Sequence, residues 1–163
     1  MNNLIYETAA EAVRILKDKK LTVSAAESCT GGLLSAYLTA VPGVSSVYEL
    51  GVTSYSCRIK NEVLGVSKAT LDTFGAVSEA AAREMAEGVR KKANADFGVS
   101  VTGVAGPDGS EGHDPGLVYI AVSGKGGTTV KKLNIDPVNR DYVRSEAVKN
   151  ALELLINTVK EVK

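Results

Sequence analysis

The sequence predicts an α/β fold: a three-layer α/β/α sandwich around a mixed, mostly parallel sheet of about five strands. Three observations carry this expectation. Up to Thr102, short apolar runs alternate with amphipathic stretches, the pattern of helical crossovers between parallel strands. Two later strand-like runs, Leu117–Ser123 and Thr128–Ile135, flank Gly124-Lys125-Gly126-Gly127, a hairpin signal and hence an antiparallel pair. Apolar residues make up 44% of the chain and charged residues 23%, which supports an ordinary packed core.

Each element has a local reason. Residues 4–18 set Ile5, Ala9, Val13 and Leu16 at helical spacing. Leu21–Ala26 is a first strand. A polar turn, Glu27–Thr30, leads into a helix over Gly32–Ala40, which Pro42-Gly43 ends. Val47–Tyr55 is a second strand interrupted at Gly51, and short helical pieces follow at Lys60–Leu64 and Lys68–Phe74. Ser78 opens an amphipathic helix that turns Ala82, Met85, Ala86, Val89 and Ala93 inward. Phe97–Thr102 is a third strand. Gly103–Gly116 holds five glycines and two prolines and predicts an irregular loop. After the hairpin, Asp136-Pro137 is expected to start the last helix, with Val143, Ala147, Ala151, Leu154, Leu155, Thr158 and Val162 as its buried stripe. No compositional break or repeat divides the chain, so residues 1–163 are expected to form a single domain.

Composition narrows the function classes. Nineteen Lys and Arg balance nineteen Asp and Glu, which gives no general attraction to nucleic acid or anionic membrane. No apolar stretch has transmembrane length, and the N-terminus lacks the pattern of a signal peptide. Two cysteines, Cys29 and Cys57, make no disulfide framework, so a cytoplasmic setting is expected. With one histidine and two cysteines, no metal site is expected, and no cofactor. The expected partner is a small molecule, with a homo-oligomer as the expected assembly.

In an open α/β sheet, ligands gather beyond the carboxyl ends of the parallel strands. Glu27–Gly32, Ser54–Lys60 and Thr102–Gly116 all fall there. Ser28 is the nucleophile candidate, and a serine needs a base. That base is either His113, the only histidine, or Lys60, if burial lowers its pKa. Tyr55 could relay the proton. Plainer roles stand beside these: Ser28 or Thr30 as a helix cap, Lys60 as a solvated surface lysine, Tyr55 as a half-buried strand residue. Cys29 and Cys57 are taken as small buried residues. Glu27 either balances charge in the site or caps a neighbouring turn. Thr102, Gly103 and Gly106 belong to a loop that lets the backbone approach a ligand closely. Arg140 and Arg144 either reach a phosphate or decorate the last helix. Thr30, Gly31 and Gly32 lie at a helix N-terminus, where backbone N–H groups could hold an oxyanion.

Several ordered blocks carry a resemblance: Ala26-Glu27-Ser28-Cys29-Thr30-Gly31-Gly32, Gly51-Val52-Thr53-Ser54-Tyr55-Ser56 with Lys60, Leu64-Gly65-Val66, Phe74-Gly75-Ala76-Val77-Ser78, and Thr102-Gly103-Val104-Ala105-Gly106-Pro107. Together they resemble the CinA C-terminal domain family, the nicotinamide mononucleotide deamidases, over nearly the whole chain. The resemblance implies hydrolysis of the carboxamide of nicotinamide mononucleotide to nicotinic acid mononucleotide and ammonia. It implies Ser/Lys catalysis without metal, with Ser28 as nucleophile, Lys60 as base and Tyr55 assisting. It puts Thr30, Thr102 and Arg140 on substrate-positioning positions, and it implies the stand-alone form of the domain. Three departures bear on substrate preference. Cys57 stands where the family usually has Asn, Pro107-Asp108-Gly109 replaces a stretch commonly richer in glycine, and His113-Asp114-Pro115-Gly116 replaces the usual Lys-Pro approach to the next strand. The competing expectation is a non-catalytic pyridine-nucleotide-binding or regulatory module, in which Ser28 is only a cap.

Overall fold

A computed structural model describes residues 2–162. Helix α1 (Asn3–Lys19) leads into strand β1 (Val23–Glu27), helix α2 (Leu33–Thr39), a short 3-10 turn at Val44–Ser46, and strand β2 (Tyr48–Thr53). Helices α3 (Cys57–Leu64), α4 (Lys68–Phe74) and α5 (Glu79–Ala93) follow. The chain closes with strands β3 (Phe97–Gly103), β4 (Leu117–Gly124) and β5 (Gly127–Asn134) and helix α6 (Arg140–Glu161).

The strands form one sheet in the order β2-β1-β3-β4-β5. β1 pairs in parallel with both β2 and β3, whereas β4 runs antiparallel to β3 and to β5. From β1 the chain moves outward to β2 through α2, then back across β1 to β3 through α3–α5. Right-handed crossovers in opposite directions require helices on opposite faces, which is the arrangement seen. α1, α2 and α6 cover one face and α3–α5 the other.

Strand alternation sorts the side chains between the two layers. Val23, Ala25, Val99, Val101, Val118, Ile120 and Val122 pack under α1, α2 and α6. Toward α5 the sheet offers small residues instead, such as Ala26 and Ala121. Gly98 is required there, because a Cβ would come within 2.1 Å of the Ala86 carbonyl oxygen. The Ser100 hydroxyl donates to the Ala82 carbonyl at 2.6 Å in the same layer. This close approach of α5 presses the end of β3 and the Gly75–Ser78 turn together at the carboxyl end of the sheet.

Three expectations about elements need correction. The last helix starts at Arg140, not at Asp136-Pro137; Asn139 caps it by accepting from the Tyr142 N–H at 2.8 Å. Its buried stripe is Val143, Ala147, Val148, Ala151, Leu152, Leu155, Ile156 and Val159, while Leu154 and Thr158 are only half-buried and Val162 is exposed. α6 packs against both the sheet and α1, so its apolar face is wider than a single stripe. The hairpin turn is two residues, Lys125-Gly126, because Gly124 and Gly127 already pair across the strands. Among the described residues, no helix is long and apolar enough to cross a membrane.

Candidate active site

The turn after β1 is organised by Glu27. Its side chain is fully buried, and its carboxylate accepts from the backbone N–H groups of Gly32 (3.1 Å), Leu34 (3.0 Å) and Ser35 (2.9 Å). The Ser35 hydroxyl donates to it at 2.6 Å, and the Tyr48 hydroxyl donates to that serine in turn at 2.7 Å. A buried carboxylate with four donors is stable, and it suits the positive end of a helix. The N-cap position itself is Gly32, in left-handed conformation, and no side chain at that position caps α2. Glu27 therefore does the capping that Ser28 or Thr30 was an alternative for, and Ser28 is left free.

Lys60 is the largest fully buried side chain. It lies in the first turns of α3, which Ser56 caps by accepting from the Ile59 N–H at 3.2 Å. The helix thus begins three residues before Lys60, where it was expected to start. From there Lys60 Nζ reaches 3.0 Å from Ser28 Oγ and donates to the Ser54 carbonyl at 2.7 Å. Burial pushes the Lys60 amine below its ordinary value, with nearby Cys57, Glu111 and Cys29 pulling the other way. A desolvated amine beside a serine hydroxyl has the geometry of a base and its nucleophile.

Ser28 and Lys60 line a cavity of about 280 Å³ at the carboxyl end of the parallel strands. Thr102, Gly103, Gly106, Tyr55 and Arg140 line it as well, as expected. Tyr55 is exposed, and its hydroxyl accepts from Arg140 Nη2 at 3.0 Å; neither Ser28 nor Lys60 is among its hydrogen-bond partners. Arg140 Nη1 donates to the Gly106 carbonyl at 2.5 Å, so one guanidinium joins the mouth of the cavity to the loop after β3. Thr102 is buried, and its hydroxyl donates to the Ala76 carbonyl at 2.7 Å.

Other expected residues fall elsewhere. Thr30, Gly31 and Gly32 do not line the cavity. The Gly31 N–H donates to the Ser28 carbonyl at 3.0 Å and the Gly32 N–H to Glu27, so neither amide is free for the expected oxyanion role. Arg144 donates to the Thr30 carbonyl at 2.8 Å, a fold contact and not a ligand contact. His113 lies in a separate groove with Phe74 and Tyr119, which removes it as a base for Ser28. Cys29 is buried, and burial pushes its thiol up to about 11. Cys57, expected to be buried, is exposed and lines the cavity, since it sits at the outer start of α3.

Asp108, from the Pro107-Asp108-Gly109 departure, lines the cavity, as do Ser110 and Glu111, which the sequence did not single out. Glu111 is the most connected of them, accepting from the N–H groups of Ala76 (2.9 Å) and Val77 (3.2 Å). The only available signal was their place in a glycine-rich loop beyond a parallel strand.

Fold and site define an α/β/α sandwich protein with a half-buried serine against a buried lysine at the carboxyl end of its sheet. The sequence matches the CinA C-terminal domain family over residues 5–159, and the chain belongs to that family. Among named relatives, it is 46% identical over 169 residues to a protein of Acetivibrio thermocellus that bears the name competence-damage inducible protein. It is 50% identical over 143 residues to one of the same name from Alkaliphilus oremlandii. These alignments cover 100% and 87% of this chain but 41% and 34% of those proteins, so the chain spans about two fifths or less of their length. The crystal structure of the competence/damage inducible protein CihA of Agrobacterium tumefaciens is similar, with a TM-score of 0.93 at 37% identity, covering 99% of this chain and 98% of that one. The competence damage-inducible protein A of Klebsiella pneumoniae has a TM-score of 0.94 at 36% identity, over 98% and 99% of the two chains.

Proposed function

We propose that the chain is an amidohydrolase acting on nicotinamide mononucleotide, with Ser28 as nucleophile and Lys60 as its base. The observation that carries this reading is the 3.0 Å approach of the buried Lys60 Nζ to Ser28 Oγ, beside a cavity open to ligand. The family resemblance supplies the substrate class.

In the proposed reaction, neutral Lys60 takes the Ser28 hydroxyl proton as Oγ attacks the carboxamide carbon. The carbonyl electron pair moves onto oxygen. When the tetrahedral intermediate collapses, the Lys60 ammonium returns its proton to the departing nitrogen, the C–N bond breaks and ammonia leaves. Water, deprotonated by the same amine, then attacks the Ser28 ester; the ammonium returns that proton to the departing Ser28 Oγ, and nicotinic acid mononucleotide leaves. The Ser54 carbonyl holds Lys60 Nζ in place throughout. Arg140 stands at the mouth, where a guanidinium suits the substrate phosphate.

Ammonia release by the purified chain tests the reading. Ser28→Ala and Lys60→Ala are each expected to lower kcat by at least about 10³-fold while circular dichroism stays native. Wild-type turnover in both folded variants overturns the mechanism. Saturable nucleotide binding by the wild type with no product overturns the activity and leaves a binding module.

A further inference from the structure

Three segments that line the cavity meet beside it: the end of β3, the Gly75–Val77 turn before α5, and the Val104–Gly116 loop. The loop is hydrogen-bonded to the turn through Glu111. Ser110 and His113 exchange backbone hydrogen bonds at 3.0 and 2.9 Å around Glu111 and Gly112, whose φ angles are +52° and +76°. That is a tight turn with both central residues left-handed. Glycine accepts such a conformation freely, whereas glutamate holds it only where its surroundings demand it.

The demand is visible on the other side. Glu111 Oε2 accepts from the N–H groups of Ala76 (2.9 Å) and Val77 (3.2 Å), both on buried residues. Gly75, at φ +79°, makes room: a Cβ there would lie 2.7 Å from the same carboxylate oxygen. The turn is already tied to β3 by the Thr102 hydroxyl on the Ala76 carbonyl.

We propose that Glu111 is a positioning residue of this site: its carboxylate fastens the Val104–Gly116 loop to the Gly75–Val77 turn and so fixes the cavity wall that both segments form. The same loop supplies Gly106, the carbonyl partner of Arg140, so a loosened loop also releases the residue at the mouth. Glu111 touches no reacting atom. Its effect falls on substrate binding more than on the chemical step.

The kinetic consequence rests on the deamidase reading, whereas the fastening itself does not, and the test separates them. In the full chain, Glu111→Ala is expected to raise KM for nicotinamide mononucleotide about tenfold with a smaller fall in kcat, the scale of one lost charge-assisted hydrogen bond. Glu111→Gln keeps an acceptor for the two N–H groups and is expected to bring KM back to within roughly threefold of wild type. Gly75→Ala pushes the carboxylate away from the opposite side and should reproduce the rise in KM. Amide exchange at Ala76 and Val77 should accelerate on the order of tenfold in Glu111→Ala and not in Glu111→Gln, while the core strands stay protected. The proposal is overturned if Glu111→Ala matches wild type in exchange at those amides. It is equally overturned if Gln and Ala behave alike, or if faster exchange spreads through the sheet with a lower unfolding midpoint. A wild-type chain that releases no ammonia sinks the deamidase reading, and the exchange measurement still decides the fastening.

Discussion

The end of β1 and the first turns of α3 both lie at the carboxyl end of the sheet, and each carries one buried ionisable side chain. Glu27 and Lys60 are both almost wholly inaccessible, yet their surroundings differ in kind. Glu27 receives three backbone N–H groups and a hydroxyl, a set of donors that matches a carboxylate. Lys60 has one carbonyl and one serine hydroxyl within reach, too little to replace the hydration of an ammonium. The first side chain has its hydrogen-bonding capacity met and holds structure. The charge of the second is disfavoured by burial, which lowers the pKa of the amine. The two are coupled in sequence, because Glu27 caps α2 and leaves the adjacent Ser28 hydroxyl to Lys60.

The sharpest way to break this contrast is Lys60→Met. It keeps the volume and removes the amine, so turnover should fall by at least about 10³-fold. The unfolding midpoint should hold or rise, since replacing a buried charge by an apolar side chain is often neutral or stabilising. A large loss of stability would mean that Lys60 holds the fold as Glu27 does.

Glu27→Ala should do the reverse. It strips the start of α2 of its acceptor and leaves buried N–H groups unpaired, at a cost of roughly 2–4 kcal/mol. Chemical denaturation reads this directly. An unchanged midpoint would show that Gly32 and water cap the helix well enough.

The pH dependence follows from the direction of the Lys60 shift. Burial lowers its pKa, so kcat/KM should climb about tenfold per pH unit on the acid side and level off below the ordinary lysine value. Glu111→Gln removes one of the charges that favour the ammonium, and the limb should move to lower pH. Stability carries the same sign. Between the folded and unfolded pKa the unfolded chain binds the extra proton, so wild type should gain stability over Lys60→Met as pH rises toward the unfolded value. A limb that stays at the ordinary lysine value would contradict the desolvated amine.

The smallest effect expected is that of Ser56→Ala. It removes the cap of α3 and should cost about 1 kcal/mol in denaturant unfolding. Comparison with Glu27→Ala then measures how much more a buried distant cap contributes than an exposed local one.

Much of this architecture was legible in local chemistry. The helix at Lys68–Phe74, the Ser78 start of α5 and the inward positions Ile5, Ala9, Val13 and Leu16 follow from caps and period, and they appear in the fold where those signals put them. The site was legible as a place, since three polar glycine-rich segments follow three strands. Local signals failed where two neighbouring residues compete for one role or where the packing of an element decides. Pro137 suits a first helical turn, yet Asn139 offers the better cap and the helix waits for it. Ser28 has the chemistry of a cap, yet a carboxylate one residue earlier in the chain takes the N–H groups. Cys57 looks like a buried thiol, yet the direction in which α3 leaves the sheet sets it facing the cavity.

By itself, then, the sequence determined the order and type of the elements, the mixed sheet, and Ser28, Tyr55 and Lys60 as candidates, because periodicity, turn chemistry and capping act over a few residues. Only the tertiary structure decided which candidates meet. The Ser28–Lys60 pair spans 32 residues and the Arg140–Tyr55 pair spans 85. Contacts of that range depend on how crossovers stack helices around a sheet, and so does the burial that lowers the pKa of one lysine.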